Sequence, residues 1–351
     1  MTRSKKTWSR AEGLAGRARS KGCGFVGMSR AGGMLGAGAL SVAVATASTV
    51  AAPLVDSIDG LQLWLDASDA ESLTIDPDSG QVMEWQDRRG TGIYAAPDSA
   101  TMGNSNLPPS FVESGVNGNP ALRFGQDTVQ GMQFGSELRL KGDGANDITS
   151  GVEGMTGFVV ARLDGQHPGV ETSAASLVRA QSRTSARYFH YRVNTDSEDE
   201  GRSRMRLGGQ RVDEDGFART DAEVDSLVEG ATHIHGVTID YVGNTVVLTQ
   251  DGRVTSERVD KWSAEEFEGI TSNTATLYTS IGAGSGGQLW NGDIAEILLF
   301  DRVLEDEEFM AVGEYLGDKY GVTFIPEPAS IAMLAAGSIV LLRRRHNRAR
   351  D

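Results

Sequence analysis

Hydrophobic and polar residues alternate along much of the chain between residues 52 and 324. The run from Leu61 to Asp66, LQLWLD, has leucine at every second position, and the run from His233 to Tyr241 alternates in the same way. A period of two is the pattern of a β-strand, whose successive side chains point to opposite faces. Asp251-Gly252 separates two further runs and predicts a two-residue hairpin turn. Short strands divided by turn residues predict an all-β sandwich.

One segment, Glu305 to Tyr320, has the period of an α-helix instead. Phe309, Val312 and Leu316 recur at intervals of three and four residues. Acidic residues begin the segment and Lys319 lies in its last turn, an arrangement that the helix dipole favours. The sequence therefore predicts a short helix after the last strand.

The N-terminal segment, residues 1–51, has the organisation of an export signal. Eight Lys and Arg residues up to Arg30 precede a small-residue apolar run from Ala31 to Ser48. We expect a signal peptidase to cleave after Ala47 or Ala51. Glycine and alanine dilute the apolar run, which argues against the alternative of a membrane anchor. The only cysteine, Cys23, lies in this segment, so the exported protein is predicted to contain no disulfide bond.

The C-terminal segment, residues 325–351, has three successive parts. Pro326, Glu327 and Pro328 precede 14 uncharged, mostly apolar residues from Ala329 to Leu342. The cluster Arg343, Arg344 and Arg345 follows. The apolar run is shorter than the roughly 20 residues that span a bilayer, and the arginines would stay on the cytoplasmic side.

This order of parts resembles the PEP-CTERM sorting signal of Gram-negative bacteria. The resemblance implies recognition and removal of the tail by an exosortase-type membrane sorting enzyme, in bacteria that make exopolysaccharide. It also implies transient anchoring in the inner membrane by the apolar helix, followed by release to the cell surface or the extracellular space. A simple C-terminal anchor is the alternative.

The middle of the chain, residues 52–324, resembles the laminin-G-like domains of the concanavalin A-like lectin/glucanase superfamily. The similar stretches are LQLWLDASDAESLTID, HGVTIDYVGNTVVLTQDGRV and, most specifically, WNGDIAEILLFDRVLEDEEFMAVGEYLGDKYGV, from Trp290 to Val322. The resemblance covers nearly all of residues 58–322. It implies one jelly roll, a sandwich of two antiparallel sheets; an unrelated β-sandwich is the alternative.

Charge excludes one class of partner. Between residues 52 and 327 the chain has 46 acidic and 20 basic residues. The resulting net charge of −26 argues against binding to nucleic acid, whose phosphates attract basic surfaces.

One stretch breaks this acidic trend. From Arg179 to Arg211 there are eight arginines and four acids. Period-two counting predicts that Phe189, Tyr191, Val193, Met205 and Leu207 share one face of two neighbouring strands. The opposite face would carry Tyr188, His190, Arg192, Arg202, Arg204 and Arg206. Aromatic rings and arginine forks suit sugars that bear carboxylates or sulfates, and in the resembled superfamily the concave sheet commonly binds glycans. The alternative is that these arginines neutralise nearby acids on a solvated face.

The sequence contains no recognisable catalytic motif. Retaining glycosidases need two carboxylates about 5 Å apart, which the glucanases of the resembled superfamily place on one strand as Glu-x-Asp-x-(x)-Glu. That run is missing, and Asp293 and Glu296, three residues apart, are expected on opposite faces of a strand. His233 and His235 share a strand face without a third metal ligand nearby, which favours a pair of surface histidines. We therefore expect no enzymatic activity.

Calcium is the one cofactor that the sequence suggests. Laminin-G-like domains often hold calcium through loop carboxylates, and Asp66 and Asp69 are acidic residues near a turn. Calcium needs several converging oxygens, so acidic loops without a metal are the alternative.

Three functional hypotheses follow from the sequence. The first is an exported, surface-sorted binding module that recognises extracellular polysaccharide, in a matrix or adhesion role. The second is a structural extracellular-matrix protein without a specific ligand. The third is a polysaccharide hydrolase or lyase with an unfamiliar site.

Overall fold

The computed structural model describes residues 55–97, 106–129, 132–145, 148, 151–164, 174–181, 187–195, 203–209, 218–223, 230–243, 245–259, 278–284 and 288–325. The predicted signal peptide and the tail from residue 326 lie outside the described residues. Within these ranges, no helix has the length and hydropathy needed to cross a membrane.

Short β-strands make up most of this part of the chain. The strands of the first half are β1 (Leu61–Asp66), β2 (Leu73–Ile75), β3 (Val82–Gln86), β4 (Tyr94–Ala96), β5 (Asn106–Leu107), β6 (Ser110–Val116), β7 (Asn119–Phe124), β8 (Gln126–Val129), β9 (Met132–Ser136) and β10 (Leu138–Lys141). Those of the second half are β11 (Gly154–Leu163), β12 (Ala174–Gln181), β13 (Arg187–Thr195), β14 (Ser203–Gly209), β15 (Ala218–Glu223), β16 (Thr232–Asp240), β17 (Thr245–Gln250), β18 (Arg253–Val259), β19 (Tyr278–Ile281), β20 (Ala283–Gly284), β21 (Gln288–Leu289) and β22 (Gly292–Phe300). The α-helix α1 (Asp306–Tyr320) follows, and single 3-10 turns lie at Val55–Ser57 and Ala70–Ser72.

Two antiparallel sheets form the predicted sandwich. The eight-stranded sheet has the order β18-β17-β16-β11-β22-β7-β6, and β1 also pairs with β22. The nine-stranded sheet has the order β15-β14-β13-β12-β19-β10-β4-β3-β2. Two small sheets, β20-β21 and β5-β9-β8, complete the described topology. The predicted fold class, two antiparallel sheets with one short C-terminal helix, is confirmed.

The apolar side chains form two layers. One cluster fills the space between the sheets and includes Leu63, Trp85, Val159 and Trp290, all fully buried. A second cluster lies between the eight-stranded sheet and α1. Its members include Phe158, Ile234, Leu298, Val312 and Leu316. Both faces of the central strands are therefore apolar, which is why β22 reads GDIAEILLF and not as a simple alternation.

The helix α1 begins one residue after the predicted start, ends at the predicted Tyr320, and is stabilised at both ends. At its start, Glu308 accepts a hydrogen bond from the backbone N–H of Glu305 at 3.0 Å and pairs with Arg302 through two 2.7 Å contacts. At its end, the amides of Asn117 and Asn119 donate to the carbonyls of Tyr320 and Lys319. The turn between β6 and β7 thus satisfies carbonyls that a helix terminus leaves without partners.

The predicted hairpin turn at Asp251-Gly252 is confirmed, with positive φ at both residues, 52° and 83°. The last described residue, Ile325, contacts this turn. The backbone N–H of Ile325 donates to the carbonyl of Asp251 at 2.9 Å. A Cβ atom at position 252 would lie 2.6 Å from the carbonyl oxygen of Ile325, so glycine permits this close approach.

Candidate functional site

The arginine-rich strands β13 and β14 pair in the register that the alternation predicts. Tyr191 is opposite Leu207, and on the next strand Tyr191 is opposite the buried Val178. These positions therefore belong to the core side. The alternate positions, among them Arg192 opposite Arg206 and Arg204 opposite Asn194, belong to the other side. Tyr188 and His190 lie on β13, while Arg202 lies outside the described residues.

The strand register adds further basic positions to those on the two strands considered in the sequence. One row crosses the nine-stranded sheet through the aligned positions Arg139, Ser280, Arg179, His190, Gly208 and Arg219. Sequence counting within single strands could not find this row, because it joins residues up to 141 positions apart.

Acidic positions flank the same surface. On β15, Asp221 is opposite Arg206 and Glu223 is opposite Arg204. Directly opposite residues in an antiparallel pair have Cβ atoms about 5 Å apart. The register is therefore compatible with both hypotheses that the sequence left open, ligand binding by the arginines and neutralisation of neighbouring acids.

A buried ionic cluster that the sequence did not predict lies beneath α1. The carboxylate of Glu296 on β22 has no exposed surface. It accepts hydrogen bonds from Trp64 Nε1 at 2.6 Å, from Lys319 Nζ at 2.7 Å, and from the hydroxyls of Tyr320 and Tyr315 at 2.9 and 3.1 Å. Three of the four donors come from α1, so this carboxylate attaches the helix to the sheet.

Asp66, at the end of β1, shares the same ammonium group. Its Oδ2 lies 2.7 Å from Lys319 Nζ and 2.8 Å from Arg88 Nη1. Its Oδ1 accepts from the N–H and the hydroxyl of Ser68 at 2.9 and 2.6 Å.

Asp66 was a calcium candidate, but both of its oxygens already contact protein donors, and Asp69 lies 3.8 Å from Arg88. In the part of the chain that the structure describes, no group of three or more His, Cys, Asp or Glu side chains is arranged to hold a metal ion. Calcium binding stays a hypothesis.

The two carboxylates have opposite pKa shifts. Burial works to raise the pKa of Asp66, but the charge and hydrogen bond of Lys319 and the hydrogen bonds from Ser68 lower it overall. Burial, together with the negative charge of Asp66, raises the pKa of Glu296 in spite of Lys319. Two carboxylates close together resemble the composition of a glycosidase site. Both are covered by α1, however, and their oxygens are engaged by donors that hold the helix.

The expectation that Asp293 and Glu296 face opposite sides of a strand is wrong. On β11, Val160 pairs with Glu296 and Ala161 with Ile294, so Ala295 is an extra residue in β22. Such a β-bulge shifts the alternation by one position. Asp293 therefore lies on the helix side as well, where it binds Arg123 through two 2.8 Å contacts and Arg162 through one.

A sequence signal for both clusters was present. Two charged residues interrupt the otherwise apolar strand β22, and a buried carboxylate requires cationic or hydrogen-bonding partners. Tyr315 and Lys319, four residues apart on the helix, were candidates for those partners. The bulge at Ala295 had no comparable signal.

The interpretation of His233 and His235 as a surface pair is also wrong. Their rings are 5.9 Å apart, as a shared face predicts, but His235 is fully buried. His233 Nδ1 lies 2.7 Å from Asp251 Oδ2 and 2.8 Å from Gln250 Nε2. Burial, with a smaller contribution from His233, lowers the pKa of His235 to about 3. His235 is therefore neutral at pH 7, and its position on the core side follows from the alternation with Ile234.

Comparison with known proteins finds similar folds and no family. No protein-family model matches the sequence, and no curated protein matches it. Among solved structures, the binding domain of botulinum neurotoxin serotype G is similar over 73% of this chain, with a TM-score of 0.46 and 11% identity. This chain covers 51% of that one, about half its length.

Two bacterial domains are also similar. The carbohydrate-binding module CBM40 of the Ruminococcus gnavus IT-sialidase, bound to α2,3-sialyllactose, has a TM-score of 0.39 and 15% identity over 55% of this chain and 95% of its own. Domain 4 of the GH43 extracellular arabinanase AbnA of Geobacillus stearothermophilus, in complex with arabinotriose, has a TM-score of 0.43 and 10% identity over 72% and 98%. These neighbours are lectin-like β-sandwiches.

The first testable prediction concerns the ammonium group of Lys319, which Asp66 and Glu296 share. Replacing Lys319 with Met leaves two buried carboxylates without their common cation, and breaking a buried ion pair costs about 3–5 kcal/mol. We expect the free energy of unfolding, measured by urea denaturation, to fall by that amount. Asp318→Asn, an exposed neighbour on α1, should change it by less than about 0.5 kcal/mol.

A double variant separates charge from packing. In the Lys319→Met background, Glu296→Gln removes one of the uncompensated charges and should recover part of the lost stability. If the effects of the two substitutions simply add, Glu296 and Lys319 are not coupled as described.

His235 predicts a dependence of stability on pH. The unfolded chain binds a proton near pH 6.5, whereas the folded chain excludes it down to about pH 3. Stability is therefore full above pH 6.5 and declines as the pH falls toward 3. Between pH 7.5 and 5 the loss should be about 2 kcal/mol. In His235→Gln this part of the slope should disappear; an unchanged slope would show that His235 is not the group responsible.

Proposed function

We propose that this chain is an exported, surface-sorted, non-catalytic module that binds extracellular polysaccharide. The binding surface is the outer side of β13 and β14 in the nine-stranded sheet, centred on Arg192, Arg204 and Arg206. The ligand class is an acidic polysaccharide, because guanidinium groups bind carboxylates and sulfates through paired hydrogen bonds.

The observation that carries this proposal is the strand register. It aligns Arg192 with Arg206 in one row and Arg179 with Arg219, through His190 and Gly208, in another. These arginine positions occur in a chain whose residues 52–327 have a net charge of −26. A group of basic positions on an acidic protein can select an acidic polymer, because the rest of the protein surface repels that polymer.

The second candidate function is a structural matrix protein that has no specific ligand. It is favoured by Asp221 opposite Arg206 and Glu223 opposite Arg204, because such pairs would neutralise the arginines without any ligand. The two functions make opposite predictions for substitutions on β15.

We expect the triple variant Arg192→Ser, Arg204→Ser, Arg206→Ser to lose affinity for an acidic-glycan array. A hydrogen bond to a charged group contributes about 1.5 kcal/mol, so one lost contact weakens binding by about tenfold. The melting temperature should not change. Arg253→Ser, at an exposed position on β18 of the other sheet, is the matched control and should bind normally.

The variant Asp221→Asn, Glu223→Gln distinguishes the two functions. If the arginines bind an acidic glycan, removing the competing acids should strengthen binding and make its decrease with added salt steeper, because the net attraction that salt screens is larger. If the arginines only neutralise those acids, the variant should lower the melting temperature and leave the array signal at background. Release of reducing ends from the same glycans would instead indicate a hydrolase.

Sorting is the second part of the proposal, and it depends on Pro326, Glu327, Pro328 and the arginines from 343 to 345. In the producing bacterium, the protein recovered from the cell surface should lack residues 1–51 and the apolar segment 329–342, as measured by intact mass. Pro326→Ala with Pro328→Ala should keep the tail and remain in the inner-membrane fraction. Thr323→Ala, just before the motif, should be sorted normally; equal sorting of both variants would contradict the role of the prolines.

A further inference from the structure

A groove on the helix side of the eight-stranded sheet has no part in the proposed polysaccharide site. It lies between α1 and the strands β16–β18 and has a volume of about 590 Å³. Its lining includes the apolar side chains of Val247, Val254, Val303, Phe309 and Met310. Val254 and Val303 are 39% and 36% exposed. We call this feature the α1 groove.

The α1 groove has two chemically different ends. At one end, Gly252 lies against the backbone of Ile325. At the other end, Asp240 pairs with Gly154, whose Cα lies against Val303. Four acids line the groove. Three of them, Asp240, Asp306 and Glu307, belong to this second end, since Asp306 and Glu307 form the first turn of α1, whereas Glu314 lies about two turns further along the helix. The N-terminus of α1 contributes only about half a positive charge, which is less than the negative charge of three carboxylates. This end of the groove therefore favours a cationic partner.

The chain leaves the described structure at the first end. Ile325 is held by its hydrogen bond to Asp251 and is followed by Pro326-Glu327-Pro328, which can reach about 10 Å when extended. The next 14 residues, Ala329 to Leu342, are uncharged and mostly apolar, and three arginines follow them. The apolar segment 329–342 is therefore connected by only three residues to Ile325, which lies at one end of the apolar groove.

Charge and length agree with this placement. As a helix, 14 residues would be about 21 Å long. The part of α1 that lines the groove, from Asp306 to Glu314, is about 12 Å long, so a segment of this length is long enough to reach from one end of the groove to the other. A segment that enters beside Gly252 and runs antiparallel to α1 therefore spans the groove. Its arginines then reach the end that carries Asp240, Asp306 and Glu307.

We propose that the α1 groove is the docking site for the chain's own apolar segment, residues 329–342, with Arg343–Arg345 at the acidic end. Docking covers the segment from water as long as the tail is present, since a tethered ligand has a high effective concentration. The proposal requires an intact tail and does not depend on polysaccharide binding.

The test uses the full chain with the photo-crosslinking residue p-benzoylphenylalanine at Val254. After irradiation, mass spectrometry should find the crosslink in residues 329–342, within one molecule, with a yield that does not fall on tenfold dilution. The control places the same probe at Met83, which is 38% exposed on β3 of the other sheet, and should not crosslink to the tail. A glycan-array measurement on the same samples keeps the outcome separate from that of the proposed function.

Charge variants test the orientation. Arg343→Ser, Arg344→Ser, Arg345→Ser should lower the crosslink yield several-fold, and Asp306→Asn with Glu307→Gln should do the same. Asp318→Asn, an exposed acid of α1 that does not line the groove, should have no effect. Crosslinks from Val254 that fall outside the tail, a yield lost on dilution, or equal yields from positions 254 and 83 would each overturn the proposal.

Discussion

The burial of two carboxylates beneath one helix is the constraint on which the rest of this structure depends. Glu296 and Asp66 lie on neighbouring strands and share the ammonium of Lys319. An unpaired buried charge costs several kcal/mol, so α1 stabilises the sheet by supplying its lysine and two tyrosine hydroxyls. The position of α1 then determines the path of the residues that follow it, because Phe324 packs against Gly313 and Ile325 donates a hydrogen bond to Asp251.

The same constraint divides the molecule into two chemically distinct sides. The side under α1 has its charges buried and paired, with Asp293 held by Arg123 and Arg162 in the same manner as Glu296 is held by Lys319. The nine-stranded sheet instead has arginine and acid positions directly opposite each other on β14 and β15, Arg206 with Asp221 and Arg204 with Glu223. A ligand that recognises charge would meet the second side, and an apolar ligand would meet the α1 groove on the first.

Local patterns predicted the elements of the fold well. The period of two and the Asp-Gly turn predicted β16 to β18, and the period of 3.6 predicted α1 within one residue, because these signals depend on neighbours in the chain. The faces of the strands were predicted less well. A single extra residue at Ala295 moved Glu296 to the side of Asp293, and the burial of both faces of β16 placed His235 in the interior, where counting had suggested a surface pair.

The sequence by itself determined the class of fold, the helix α1, the alternation of β13 and β14, and the acidic net charge of residues 52–327. It also determined the composition of both ends of the chain. Only the tertiary structure decided that Asp66, Glu296 and Lys319 meet, that Arg139 and Arg219 belong to one row, and that the tail begins beside an apolar groove with an acidic end. The physical reason is sequence separation: these groups are brought together by strand register and helix docking, which long-range burial decides and local propensity does not.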